Sequence, residues 1–140
     1  MGSLLINKRP GSLDIKPASQ TKPFRINDFI YLSEGASNSY LIETSEGNIL
    51  INTGLGVEAP VHKYCFDQVN KHEIKYIIYT QGHVDHVGGS GFFKEYNPDA
   101  ILIAQENIIE HQSFDALTQG GRALNSYKFF VLKILEYGHF

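Results

Sequence analysis

The stretch Thr80-Gln81-Gly82-His83-Val84-Asp85-His86-Val87-Gly88-Gly89 carries most of what the sequence has to say about architecture and chemistry. Two imidazoles and a carboxylate fall within four residues, His83 to His86. Imidazole nitrogen and carboxylate oxygen are common zinc ligands, and neutral imidazole is available near pH 7. The stretch follows Ile74 to Tyr79, a strongly apolar run of β-branched and aromatic residues that reads as a strand, and it leads into a helix predicted near Ser90–Tyr96, with Pro98 as its stop. A strand end fixes the backbone, while the loop beyond it lets side chains converge on one point. Gly82, Gly88 and Gly89 permit the sharp path this requires. The plainer reading is a surface loop that happens to hold two histidines and an aspartate. It leaves the agreement of strand context, glycines and ligand types without a cause.

Nearer the N-terminus, Phe24-Arg25-Ile26 and Phe29-Ile30-Tyr31-Leu32 read as short strands around a tight turn at Asn27-Asp28. Tyr40–Thr44 and Asn48–Asn52 form a second pair joined by Ser45-Glu46-Gly47, where Gly47 can supply a positive φ. Pro60 to His72 is helical in pattern, with Val61, Tyr64, Cys65 and Val69 recurring at helical spacing. Cys65 reads there as core packing rather than as a nucleophile, and His62 and His72 are expected to be solvated. Ala100–Ala104 is a further strand and Glu106–Leu117 a further helix. Hairpins first, then alternating α and β elements, predict an α/β fold: a mixed sheet with helices on one face. Residues 1–22 read as an extended or flexible arm and residues 23–140 as one domain.

The loop at 80–89 resembles the metallo-β-lactamase superfamily motif Thr-His-x-His-x-Asp-His-x-Gly-Gly. Ser37-Asn38-Ser39-Tyr40-Leu41-Ile42-Glu43-Thr44, followed by Ile49-Leu50-Ile51-Asn52-Thr53-Gly54, is similar to the opening strands of that family, which usually end Ile-Asp-Thr-Gly. The resemblance implies half of an αββα sandwich and hydrolysis by a metal-activated water. It implies that His83 ligates a first metal, that Asp85 and His86 ligate a second, and that Asp85 also holds or deprotonates the attacking water. One or two zinc ions are expected. Two departures stand out. Gln81 takes the place of the first family histidine, which weakens the first metal position, although some β-lactamases of the superfamily carry Gln or Asn there. Asn52 replaces the usual Asp beside the site, with Thr80 and Gly88 shaping the loop. The segment Ile101–Asn107, then His111 and Gly120–Tyr127, is similar to alkylsulfatase-like members. The family takes further ligands from a later half, so the domain is expected to be incomplete, with a missing C-terminal half or a homo-oligomer as partner. His111 reads as an exposed helical residue and His139 as part of a frayed end. The apolar tail Lys128–Phe140 suits a helix packed on a missing half or a dimer contact.

Composition narrows the rest. Twelve Lys and Arg against 15 Asp and Glu give a net charge of −3, with no basic run, which argues against nucleic-acid and polybasic membrane partners. The single cysteine, Cys65, excludes an intrachain disulfide and a cysteine-built zinc site. No stretch is long and apolar enough for a membrane span, and none reads as a signal peptide, so the default location is cytoplasmic. Gly54-Leu55-Gly56-Val57-Glu58-Ala59 matches a dinucleotide fingerprint in form, but Thr80 and Gln81 stand where its acidic partner belongs. Two functions remain. One is a zinc-dependent hydrolase of an ester, sulfate ester, lactam or related bond in a small-molecule substrate. The other is a non-catalytic relative that keeps the fold for binding or assembly.

Overall fold

A computed structural model describes residues 16–110, 112 and 113 of the chain. Six strands form one sheet in sequence order: β1 (Phe24–Arg25), β2 (Ile30–Ser33), β3 (Ser39–Thr44), β4 (Gly47–Ile51), β5 (Ile74–Ile78) and β6 (Ile101–Ile103). β1 to β4 run antiparallel as a meander, and β4, β5 and β6 are parallel. The tight turns set the first register. The Asn27 side-chain oxygen accepts the N–H groups of Phe29 and Ile30 at 3.0 and 2.8 Å. Gly47 ends the β3–β4 turn at φ +134°, a conformation L side chains rarely adopt.

Parallel strands need crossovers, and helices supply them. α1 (Ala59–Asp67) links β4 to β5; α2 (Val84–Val87) and α3 (Ser90–Tyr96) link β5 to β6. Leu41, Leu50 and Ile77 are cross-strand neighbours on one face and are essentially fully buried. Phe66 of α1 and Phe93 of α3 join the same core. Each such side chain contributes about 1.5–3 kcal/mol by leaving water. The other face alternates with it. Tyr40, Ile42, Ile49, Ile51 and Ile78 are half-buried, and Tyr76, Ile101 and Ile103 are exposed. The sheet is thus apolar on both faces, while the helices α1 and α3 pack on one.

Several expectations change. α1 ends at Asp67 rather than His72. The side chain of Asn70 instead accepts the His72 N–H at 3.0 Å and pairs with Asn48, which turns the chain into β5. The inward stripe of α1 is Ala59, His62, Cys65 and Phe66. Tyr64, read as part of it, is 54% exposed, while His62, read as solvated, is completely buried. His62 sits three residues from both Ala59 and Cys65, so helical geometry turns it inward. Ser33 makes this tolerable by meeting its Nδ1 with Oγ at 2.8 Å. Cys65 is buried, as expected, and donates to the Gln20 carbonyl. The loop expected at 80–89 contains the short helix α2. The helix expected from Glu106 begins two residues later: 106 and 107 form a turn, and 108–110 and 112–113 are helical. Residues 114–117 of that helix, His111, the Gly120–Tyr127 segment, the Lys128–Phe140 tail with His139, and residues 1–15 of the arm lie outside the described residues. Among the described residues no helix is long and apolar enough to cross a membrane.

Candidate metal centre

The site forms at the carboxyl ends of β4 and β5. Asn52 follows β4 directly in the left-handed region, at φ 57°, which Asn tolerates better than most side chains. This points its amide across to Thr80, just beyond β5. The Thr80 N–H donates to Asn52 Oδ1 at 3.0 Å, and Asn52 Nδ2 donates to Thr80 Oγ1 at 2.9 Å. The second of these bonds needs the amide N–H of asparagine, which aspartate lacks. Asn52 therefore clamps the root of the loop rather than orienting a histidine. Thr53 then takes hold of the loop's far side. Its N–H and its hydroxyl donate to the His86 carbonyl at 2.7 and 3.1 Å.

His83 caps the N-terminus of α2 with an exposed side chain. Asp85 and His86 follow within the helix. Three side chains meet at the His86 ring. Gln81 Nε2 lies 2.6 Å from His86 Nε2, Asp85 Oδ2 lies 3.3 Å from the same nitrogen, and Ser37 Oγ lies 3.2 and 3.3 Å from Nδ1 and Nε2. The side chain of His86 is 17% exposed and that of Asp85 37%, so the cluster is reachable from solvent while its backbone is held. Among the described residues no group of three or more His, Cys, Asp or Glu side chains gathers closely enough to hold a metal ion. The structure thus brings together Gln81, Asp85 and His86 of the expected ligands.

The donor chemistry still suits a cation at this point. A tetrahedral zinc site with bonds of about 2.0–2.1 Å has ligand–ligand edges of about 3.3–3.4 Å. The Asp85 to His86 separation of 3.3 Å matches one such edge. Imidazole nitrogen and carboxylate oxygen could supply part of a coordination sphere that other groups complete; Gln81, which turns its amide nitrogen to His86, would join them only with the amide rotated to present its oxygen.

Sequence reading missed Ser37, Thr53 and His62 as parts of this neighbourhood. Ser37 is 49 residues from His86, and no spacing rule links them. His62 fills the space beside Gly54, whose φ is +69°; a Cβ there would run into His62 Nε2. The close approach in the glycine-containing turn after β4 therefore admits an imidazole of the chain's own, where a dinucleotide fingerprint would admit a phosphate. Burial lowers the His62 pKa below its usual 6.5, and the Glu58 carboxylate partly opposes this. Burial likewise raises the Tyr79 hydroxyl, which donates to Ser90 Oγ at 2.6 Å behind the loop.

The chain belongs to the metallo-β-lactamase superfamily, whose sequence profile matches residues 32–135. Among solved structures it is similar to the metallo-β-lactamase GOB-18 from Elizabethkingia meningoseptica, at 36% identity and TM-score 0.55 over 61% of this chain and 32% of that one. It is also similar to LRA-12, a class B3 di-zinc metallo-β-lactamase from an Alaskan soil metagenome, at 34% identity and TM-score 0.57 over 66% of this chain and 34% of that one. Among curated proteins it is similar to the lactamase-like protein nscB of Arthroderma gypseum, 35% identical over 63 residues, which make up 44% of this chain and 20% of nscB. The chain spans about a third of the length of these solved relatives and a fifth of nscB.

Proposed function

We propose that this chain carries the metal-binding loop of a zinc-dependent hydrolase, with Asp85 and His86 as its main ligands. The observation that supports the reading most is the convergence of Gln81 and Asp85 on His86 Nε2, at 2.6 and 3.3 Å, beyond the ends of two parallel strands. The Ser37 hydroxyl lies 3.2 Å from Nδ1 of the same ring and helps to hold it in place. Asp85 is both a ligand and the group that holds the proton of an attacking water. Gln81, a neutral amide, binds a cation more weakly than imidazole would, which favours loading at Asp85–His86 over the His83 side. Zinc, when bound, draws the pKa of water towards neutrality and polarises a carbonyl or sulfuryl oxygen. The rest of the coordination sphere and the pocket walls come from groups beyond the described residues, either a further half of the protein or a second copy. Residues 23–140 constitute the metallo-β-lactamase-like unit, and residues 1–22 lead into it.

The substrate class is a small molecule with an ester, sulfate ester or lactam bond. The solved relatives named as β-lactamases favour a lactam or related acyl bond. The likeness of Ile101–Tyr127 to alkylsulfatases favours a sulfate ester. A second reading, a non-catalytic member of the family that binds or assembles, draws support from the lack of a closed ligand group among the described residues.

Metal content of the purified chain, measured by inductively coupled plasma mass spectrometry with His86→Ala alongside, separates the two. Near-stoichiometric zinc that disappears in the variant supports the hydrolase. Absence of metal from a folded sample supplied with zinc sinks it and leaves the binding module.

A further inference from the structure

Glu58 and His62 lie one turn apart at the start of α1, and both are buried, at 3% and 0% exposure. Glu58 Oε1 accepts the N–H groups of Ala18 and Ala36 at 2.8 and 3.0 Å. His62 Nδ1 pairs with Ser33 Oγ at 2.8 Å. Their other polar atoms, Glu58 Oε2 and His62 Nε2, meet no hydrogen-bond partner. A carboxylate and an imidazole kept inside a thin layer, each with one polar atom unsatisfied, oppose stability; an apolar pair of similar shape would serve the core better. What they touch gives them a different role. Ala36 directly precedes Ser37, whose hydroxyl contacts both ring nitrogens of His86. The His62 ring fills the space beside Gly54. Gly54 follows Thr53, which holds the His86 carbonyl, and its own carbonyl accepts the Gly89 N–H at 3.0 Å. Glu58 thus reaches the ring of His86 through Ala36 and Ser37, and His62 reaches its backbone through Gly54 and Thr53.

We propose that Glu58 and His62 form a buried positioning pair that fixes His86 from behind. Both act through other residues. The inference rests on His86 being a metal ligand, as read above.

The first test needs no metal. Two-bond proton–nitrogen correlation spectra of the whole chain resolve the imidazole nitrogens of His86. In Glu58→Ala and in His62→Ala these signals are expected to shift or broaden while those of exposed His72 stay in place. Glu58→Gln, which keeps an acceptor oxygen for Ala36, restores the wild-type positions. Should Glu58→Ala fail to fold, Glu58→Asp withdraws the oxygen by one methylene and gives the same reading. The second test is cobalt(II) affinity, expected to fall about 10–100-fold in Glu58→Ala. The Ser37→Ala/Glu58→Ala double variant binds no more weakly than Ser37→Ala alone, because both lie on one path. Unmoved His86 signals in folded Glu58 and His62 variants overturn the pair, as do fully additive losses in the double variant. A wild-type chain that binds no cobalt removes the metal reading instead, and the metal-free spectra then decide the positioning pair by themselves.

Discussion

His86 is fixed by groups that differ in kind: a hydroxyl from Ser37, an amide from Gln81, a neighbouring carboxylate from Asp85, and Thr53 on its backbone. Its ring therefore has one orientation to offer a cation, and substitution anywhere in that set loosens it. His62 is held differently, by burial, and this carries a pH signature. Its folded pKa lies below the usual value because desolvation disfavours the charged ring. The unfolded chain then binds more protons than the native one as pH falls below about 6.5, so stability is full above that point and declines beneath it until the folded value is passed. Urea midpoints measured from pH 7.5 to 5.0 are expected to fall over this window. In His62→Gln, the midpoint starts lower and the fall is shallower. An unchanged slope in that variant would assign the pH dependence to other groups.

At the scale of elements, one side chain, Asn52, ties together the segments that leave the carboxyl ends of β4 and β5. Asn52→Ala removes both amide bonds to Thr80 and the residue best suited to φ 57°. A loss of about 2 kcal/mol is expected from leaving partly buried backbone and hydroxyl groups unpaired, read as a drop in thermal midpoint of several degrees. Most elements could be read from the sequence for a physical reason. Alternating apolar residues and turn formers announce strands locally, and β2 to β6 and α3 lie where they were expected. The end of α1 could not be read so, because Asn70 stops it with a side-chain bond to a strand distant in sequence. The inward turn of His62 escaped as well. A polar residue on an apolar stripe looks solvated until its partner, Ser33, is known. The site divides in the same way. Asp85 and His86 stand in one loop and could be found by spacing, whereas Gln81 entered only through the resemblance to the family motif. Ser37, between β2 and β3, and Thr53, two residues beyond β4, come from other parts of the chain, and only the fold brings them in.

Across the whole molecule, the sheet has two apolar faces of unequal cover. Leu50 and Ile101 test the difference. Leu50→Ala, beneath the helices, is expected to cost about 2–5 kcal/mol. Ile101→Thr, on the other face and 55% exposed, is expected to change stability by no more than about 0.5 kcal/mol. Equal costs from chemical denaturation would mean that the second face is as well packed as the first. Such a face suits the inner surface of a sandwich, in keeping with a family in which the part matched here makes up about a third of each solved relative named above. The contacts around His86 carry a further meaning for how the protein matures. Ser37 and Thr53 reach it across 49 and 33 residues of chain, and those loops close only once β3, β4 and β5 have zipped together. On the reading proposed above, a cation passing a half-made chain meets Asp85 and His86 on one short segment, without the Ser37 and Thr53 contacts that orient them. On that reading, tight loading follows the assembly of β3, β4 and β5.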